Sequence, residues 1–407
     1  MKELWSVNSD SLTLDILNGK VSSFKKKTIT KKSFRVFHQN KVYQSSGIGD
    51  LSSLQLEKMA LNQSVGAQRF DYELSPVKTG NWSHKKYILD MATHDQTAQL
   101  AINDFSKKNK NFKVNGKIFL ENFTKSITRS DGMDLKKEIS SLDGYLILKH
   151  RNSLNIMDAF LMYQSFSLSD LSKSLSSLDS FWEKWDVELP ISKGKKNICF
   201  LGYCSTPFSL FLSSLQPESY LSGASYFNKK LQTQIFHQDL TLIDYANNKN
   251  ICSEVFFDDE GSLRSNDLVI VEKGFWSNLI FDQRTGKKFN FPTTGNATRS
   301  FDSGILPQTW KLGLSFGEKT HQEFFESLGE CIVVMVASGG DMTPTGEYAS
   351  PVQLSFLVKD GKVQGRLPQF TIHGHILEYL NQDFIGSSKD QIIPGSLPTP
   401  FLKMNVV

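Results

Sequence analysis

Residues 256–299 constrain the fold of this chain more than any other stretch. They read FFDDEGSLRSNDLVIVEKGFWSNLIFDQRTGKKFNFPTTGNATR. Leu268, Ile270 and Phe275 form an alternating apolar run broken by a turn at Lys273-Gly274. Period-two alternation cut by glycine turns predicts short strands rather than helices. Asp258 and Asp259 stand directly before Glu260 and Gly261, and a polar knot, Thr293-Thr294-Gly295-Asn296, is closed by Arg299. Carboxylates this close can hold a hard cation. The plainer reading is that they accept backbone hydrogen bonds in a turn before a buried strand.

The same alternation appears elsewhere. Leu12, Leu14 and Ile16 lead into Asn18-Gly19 and a returning strand from Val21, a hairpin signal. Ser52 with Gln55 makes a capping box for a helix reaching about Ser64. Ala98, Ala101 and Phe105 stripe a helix over 93–107. Strands are expected at 112–120, 122–127 and 144–149, and a looser helix at 167–178. Thr206-Pro207 opens a helix with Phe208, Phe211, Leu212 and Leu215 on its apolar face. Thr320 with Glu323 opens another, which Gly329 ends. Strands follow at 331–337 and 352–358, then a helix over 373–384. With 407 residues, two or three domains are expected. The boundaries fall at 1–68, 69–189 and 190–407. The fold class is α+β, two small N-terminal α+β units followed by a large β-rich C-terminal domain, and thirty phenylalanines favour aromatic-packed layers.

Composition excludes several functions. A formal charge of +4 is too small to argue for nucleic acid. No apolar run is long enough to cross a bilayer as a helix, so no membrane is expected. No signal peptide is read, and four scattered cysteines (Cys199, Cys204, Cys252, Cys331) suit a reducing cytoplasm. His373-x-His375 with Glu378 is the one close histidine group, and the expected helix there works against a shared ligand face. Cys204-Ser205 lies at a strand-to-helix step but lacks the glycines of a nucleophile elbow. Gly340-Asp341 and Glu347 can bring carboxylates into a cleft, although a plain connecting loop explains them as well.

Taken in order, these stretches resemble the TldD/PmbA family. The resemblance covers nearly the whole chain and is strongest beyond residue 185. It rests on DDEG at 258–261, TTGN at 293–296, SGASYF at 222–227 and the segment from Lys229 to Asp244. Gly340-Asp341-Met342 with Gly346, Gly361-Lys362-Val363 with Pro368, TIHGH at 371–375 and PTPFLKM at 398–404 continue it. The matching positions are Asp258, Asp259, Glu260, Gly261, Thr294, Gly295, Asn296, Arg299, Gly340, Asp341, Gly346 and Gly374. One departure is GEYASPVQLSF at 346–356, where the family keeps small residues.

The resemblance implies a two-subunit system. Its catalytic TldD-type member is a zinc metalloprotease with HExxxH on a helix early in the third domain and a cysteine ligand near the C-terminus. The corresponding helix here, 206–215, reads TPFSLFLSSL, without histidine or glutamate, and no cysteine follows Cys331. The chain therefore resembles the non-catalytic PmbA/TldE-type partner. It would need no cofactor, zinc being expected only in the protease subunit. A heterodimer with that subunit, or a homodimer, would enclose unfolded or modified peptides, and strands 331–337 and 352–358 would offer edges to an extended peptide. The alternative is an independent hydrolase or metal-binding enzyme using the acidic loops at Asp258, Asp259 and Asp341. A role in DNA topology rests on the family's older name alone.

Overall fold

Strand β1 (Lys2–Leu17) turns at Asn18-Gly19 into β2 (Lys20–His38), and β2 returns as β3 (Lys41–Ile48). The expected hairpin is present, and its strands run well past the alternating residues that announced it. This is a computed structural model, and it describes residues 1–62, 68–83, 89–154, 158–165, 167–201, 206–337 and 339–407. The first sheet is completed by β4 (Gln68–Arg69), β5 (Thr79–Ser83), β6 (Phe112–Arg129), β7 (Asp134–His150) and β8 (Ala159–Ser165). Its order is β4-β3-β2-β1-β6-β7-β5, with β8 also on β7. The expected boundary at 68/69 falls inside this sheet, where β1 pairs antiparallel with β6 from Glu3↔Arg129 to Ile16↔Gly116.

The long strands change their buried face partway along. Near its start β1 buries Glu3 and Trp5, whereas farther on it buries Leu12, Leu14 and Ile16. Side chains alternate across a strand, so the odd and even sets leave opposite faces. The polar stretch from Asn8 to Ser11 carries the change of phase. On the even face, helices α2 (Met91–Lys108), α3 (Asp170–Ser176) and α4 (Asp179–Glu183) cover Leu12, Ile118, Leu120 and Leu142. The short helix α1 (Ser53–Asn62) covers Phe34 and Val36. Its capping box is present, with Gln55 N donating to Ser52 Oγ at 3.2 Å and Ser52 N to Gln55 Oε1 at 2.9 Å; the expected end at Ser64 lies outside the described residues.

The C-terminal part begins with β9 (Gly194–Phe200). It pairs parallel with the Glu330–Ala337 strand and antiparallel with Pro400–Val406. The ring closes through Phe370–His375 and the long Glu347–Lys359 strand, which returns to Glu330–Ala337. Alternation again divides the side chains. Ile198, Phe200, Ile332, Val334 and Leu402 enter one core, while Cys199, Cys331, Val333 and Phe401 join the helices over the first sheet. The architecture is thus α+β, with N-terminal sheet and helix units and a larger β-rich domain containing a barrel.

Three expectations need correcting. Residues 331–337 and 352–358 do not offer free edges, because they pair with each other and Ile332–Val334 also pairs with β9. The helix expected over 373–384 is mostly strand: β-pairing runs through His375, and only Ile376–Tyr379 is helical. The helix at 167–178 is instead α3 and α4, because Leu178 adopts a non-helical backbone between them and the leucine stripe continues into Phe181 and Trp182.

Candidate functional site

The motif residues form two separate groups. The first lies where the DDEG turn meets the odd face of the N-terminal sheet. Gly261 has φ +80°, and a Cβ there would lie 2.6 Å from Met133 Sδ, so the turn requires glycine both for its backbone and for its contact with the sheet. Asp258 Oδ1 accepts from Glu260 N at 3.0 Å and Ser262 N at 2.8 Å, and its Oδ2 from Ala297 N at 3.2 Å. This is the turn-stabilising role that the sequence allowed. Burial pushes the Asp258 carboxyl up to about 7 against these three hydrogen bonds.

Asp259 reaches across to the N-terminal sheet. Its Oδ1 accepts from Trp5 Nε1 at 2.7 Å and is ion-paired with Lys125, and its Oδ2 accepts from Arg299 N at 3.0 Å. Burial raises this carboxyl, but Lys125 and Arg299 outweigh burial and hold it below the usual range. The fully buried Arg299 guanidinium stands 3.5 Å from Glu3 and 5.1 Å over the Trp5 ring. Glu3 in turn receives Arg35 Nε and Nη2 at 2.9 and 2.6 Å. Lys137 donates to Val255 O at 2.5 Å, and burial, then Lys125, pushes its ammonium well below the ordinary lysine range.

The TTGN knot is equally tied. Asn296 Nδ2 donates to Asp244 Oδ2 at 2.7 Å and Gln308 O at 2.9 Å, while its Oδ1 accepts from Thr294 Oγ1 at 2.8 Å and Arg264 Nη1 at 2.7 Å. Every hydrogen-bonding position of the amide is used. Gly295 O accepts from Trp310 Nε1 at 2.9 Å. Both oxygens of Asp258 and of Asp259 are engaged by N–H donors, so neither is presented to a substrate. Chemically, this group is a buried clasp between the N-terminal sheet and the DDEG turn.

The second group lies at the start of the Glu347–Lys359 strand. Asp341 is exposed and accepts from Met342 N at 2.8 Å. Gly340 lies against Ser350, and Gly374 against the Tyr379 ring. Gly346 has φ +95°, and a Cβ there would come 3.0 Å from His375 Nε2. His375 Nδ1 accepts from Leu377 N at 3.2 Å, so in the neutral ring Nε2 carries the proton and donates to Thr345 O at 3.0 Å. His373 and His375 do share a strand face, opposite Ala349 and Glu347. Both His375 nitrogens are nevertheless engaged. Among the described residues no group of three or more His, Cys, Asp or Glu is disposed to hold a metal.

Next to this group lies the segment that the resemblance equates with a metal-binding helix. It opens as a tight turn, Thr206–Phe208, followed by helix α5 (Ser209–Ser214). Phe211 is fully buried, with rings of Phe227, Phe236 and Trp276 at 5.3, 5.0 and 5.1 Å. Tyr379 Oη donates to Pro207 O at 2.5 Å. Cys204 and Ser205 lie outside the described residues.

Sequence reasoning missed Glu3, Trp5, Arg35, Lys125, Asp244, Arg264 and Asp282. One signal was present at Arg35, a charge between Phe34 and Val36-Phe37 in an otherwise apolar run. Asp282 with Thr285 reads as a helix start, and it caps the Gln283–Phe289 helix at 2.7 Å.

Three comparisons bear on this arrangement. The family model for the PmbA/TldA metallopeptidase C-terminal domain matches residues 194–407. A metalloprotease of Archaeoglobus fulgidus is 26% identical over 182 residues, 43% of this chain and 41% of that protein, so the chain spans well under half the length of this relative. An uncharacterised protein of Methanocaldococcus jannaschii is 24% identical over 294 residues, 68% of this chain and 66% of its own length. The crystal structure of TldE from Thermococcus kodakarensis superposes with a TM-score of 0.81 at 18% identity, over 100% of this chain and 96% of that one. At that identity the likeness shows the fold.

Proposed function

Because the chain belongs to the PmbA/TldD metallopeptidase family, we propose that it is a non-catalytic, TldE-type subunit that pairs with a TldD-like zinc metalloprotease. In the pair it helps to enclose and guide unfolded or modified peptides toward the partner's zinc. One observation carries the reading. The segment equated with the metal-binding helix contains no histidine or glutamate, and its apolar residues are used as core, with Phe211 and Leu215 fully buried. A catalytic zinc site needs three protein ligands and an open position. The first acidic loop is occupied as a clasp, which favours the scaffold role over an independent hydrolase.

Native mass spectrometry of the complex isolated from its own cells, with zinc measured on the same sample, tests the proposal. A heterodimer with an HExxxH-bearing chain and about one zinc per pair is expected. A zinc-loaded homodimer that cleaves peptides overturns it.

A further inference from the structure

Strand β2 outruns one of its neighbours. β3 pairs with it from His38↔Lys41 to Lys31↔Ile48, and a last bond runs from Gly49 N to Thr30 O at 2.8 Å. Gly49, at φ +96°, then carries the chain away toward α1. Among the described residues no strand lies against that side of β2 before Thr30, although the other side stays paired with β1. Residues 22–28 are exposed without a break, so both faces of this stretch meet solvent.

The parity of the ladder fixes which backbone groups face outward. Thr30 O points to β3, whereas Lys27 O lies on the β1 side, where it accepts from Ser11 Oγ at 3.3 Å. Backbone groups alternate in direction along a paired strand. Phe24, Lys26 and Thr28 therefore each turn an N–H and a C=O to the vacant edge, while Lys25 and Lys27 turn theirs to β1. The one irregularity in the β1–β2 register falls between Asp15 and Ile16, beyond Phe24.

Side chains alternate as well, so Lys25 and Lys27 leave one face and Phe24 and Lys26 the other. The carboxylates of β1 nearby are already engaged: Asp15 is ion-paired with Lys117 at 2.9 Å, and Asp10 accepts from Thr28 Oγ1 at 2.6 Å. Among the described residues none of Lys25, Lys26 and Lys27 forms an ion pair. Lysines on an edge guard it against pairing with another copy, whose like charges would face them. The same three charges favour an acidic strand. Phe24, 42% exposed, adds an apolar neighbour that guarding alone does not call for.

We propose that the β2 edge at residues 24–28 takes an extended acidic segment of another protein as an added strand, antiparallel to β2 and in line with β3. Strand addition draws its affinity from main-chain hydrogen bonds and its selectivity from alternate side chains. The preferred segment carries acidic residues across from Lys25, Lys26 and Lys27 and an apolar residue across from Phe24. The edge belongs to the N-terminal sheet, is independent of any protease partner, and is tested on the full chain alone.

Fluorescence anisotropy with a dye-labelled, end-capped peptide Thr-Val-Glu-Glu-Glu-Val-Thr is the test. It is expected to bind at least about tenfold more tightly than its counterpart with lysine in place of glutamate. A third peptide, methylated on the amides of both valines and the central glutamate, keeps the charge but loses the N–H groups that would face β2. It is expected to bind at least about tenfold more weakly than the unmethylated one. Residue-resolved hydrogen exchange is expected to show new protection at the Phe24, Lys26 and Thr28 amides when the acidic peptide binds. The Lys25→Glu/Lys27→Glu double variant is expected to prefer the lysine peptide, with its melting temperature as the folding control. The wild-type comparison of the three peptides stands even if the variant misfolds. Equal binding of the methylated peptide, without new protection, overturns strand addition and leaves charge attraction alone. Protection of Lys26 that grows with protein concentration in the absence of peptide overturns the acidic occupant in favour of a second copy. No binding of the acidic peptide at millimolar concentration overturns the site and leaves the lysines as guards of the edge.

Discussion

The indole of Trp5 donates to Asp259 Oδ1 at 2.7 Å, joining residues 254 positions apart in the chain. The bond joins the N-terminal sheet to the DDEG turn. Lys125 is ion-paired with the same carboxylate, and the Arg299 guanidinium, which stands 3.5 Å from Glu3, also favours its charged form.

Replacing Asp259 with asparagine keeps an acceptor for Trp5 but leaves the buried Lys125 without its charge partner and Arg299 with Glu3 alone. Removing one partner of a buried pair costs about 3–5 kcal/mol. The urea midpoint of Asp259→Asn is expected to fall accordingly. A midpoint within about 0.5 kcal/mol of wild type, the usual range for surface changes, would show that the clasp contributes little.

Asp258 gives the fold a pH dependence. Its folded carboxyl titrates at about 7, above the roughly 3.9 of an unfolded aspartate. The sign follows: this contribution is fully present below about pH 4 and is lost as pH rises through about 7. Lys137, pushed down by burial, works in the opposite sense, so the readout is the difference between wild type and Asp258→Asn. Between pH 5 and 8 the wild-type midpoint is expected to decline relative to the variant. Parallel pH profiles would contradict the assignment.

Phe211 sits where the resemblance puts a metal-binding helix, and it is fully buried among aromatic rings. Phe211→Ala is expected to cost about 3–5 kcal/mol, the range for a large core truncation. Denaturation monitored by tryptophan fluorescence, with Trp276 at 5.1 Å as a local reporter, measures it. A small loss would mean that this helix has kept an open face.

Gly346 is held at φ +95° with His375 Nε2 in the way of any Cβ. Gly346→Ala is expected to cost on the order of 1–2 kcal/mol from backbone strain. It should also move the His375 ring off Thr345 O, which imidazole nitrogen chemical shifts would report. An unchanged ring with unchanged stability would show that the loop absorbs the methyl group freely.

Local chemistry was legible in the sequence, and long-range partnership was not. Ser52 with Gln55, Thr320 with Glu323 and Asn18-Gly19 act within a few residues, and each appears as read. The strand through His375 was misread because the partners of His373 and His375, Ala349 and Glu347, lie 24 and 28 positions away and override local helix signals. The same distance hid half of the clasp. DDEG and TTGN stand out as polar knots, but nothing near Trp5 or Lys125 in the sequence says that their shared acceptor is Asp259. The free edges expected at 331–337 and 352–358 failed for a related reason, since barrel closure is a property of strand order rather than of any one strand.

The change of phase within β1 makes the N-terminal sheet a lock with two keyways. Trp5 fits one side and Leu12, Leu14 and Ile16 the other. A slip of one residue against β2 or β6 would turn both sets out at once, so a misaligned ribbon gains no refuge by trading one compartment for the other. Each compartment can accept substitutions without consulting its neighbour, whereas an insertion in the polar stretch between them is read by both.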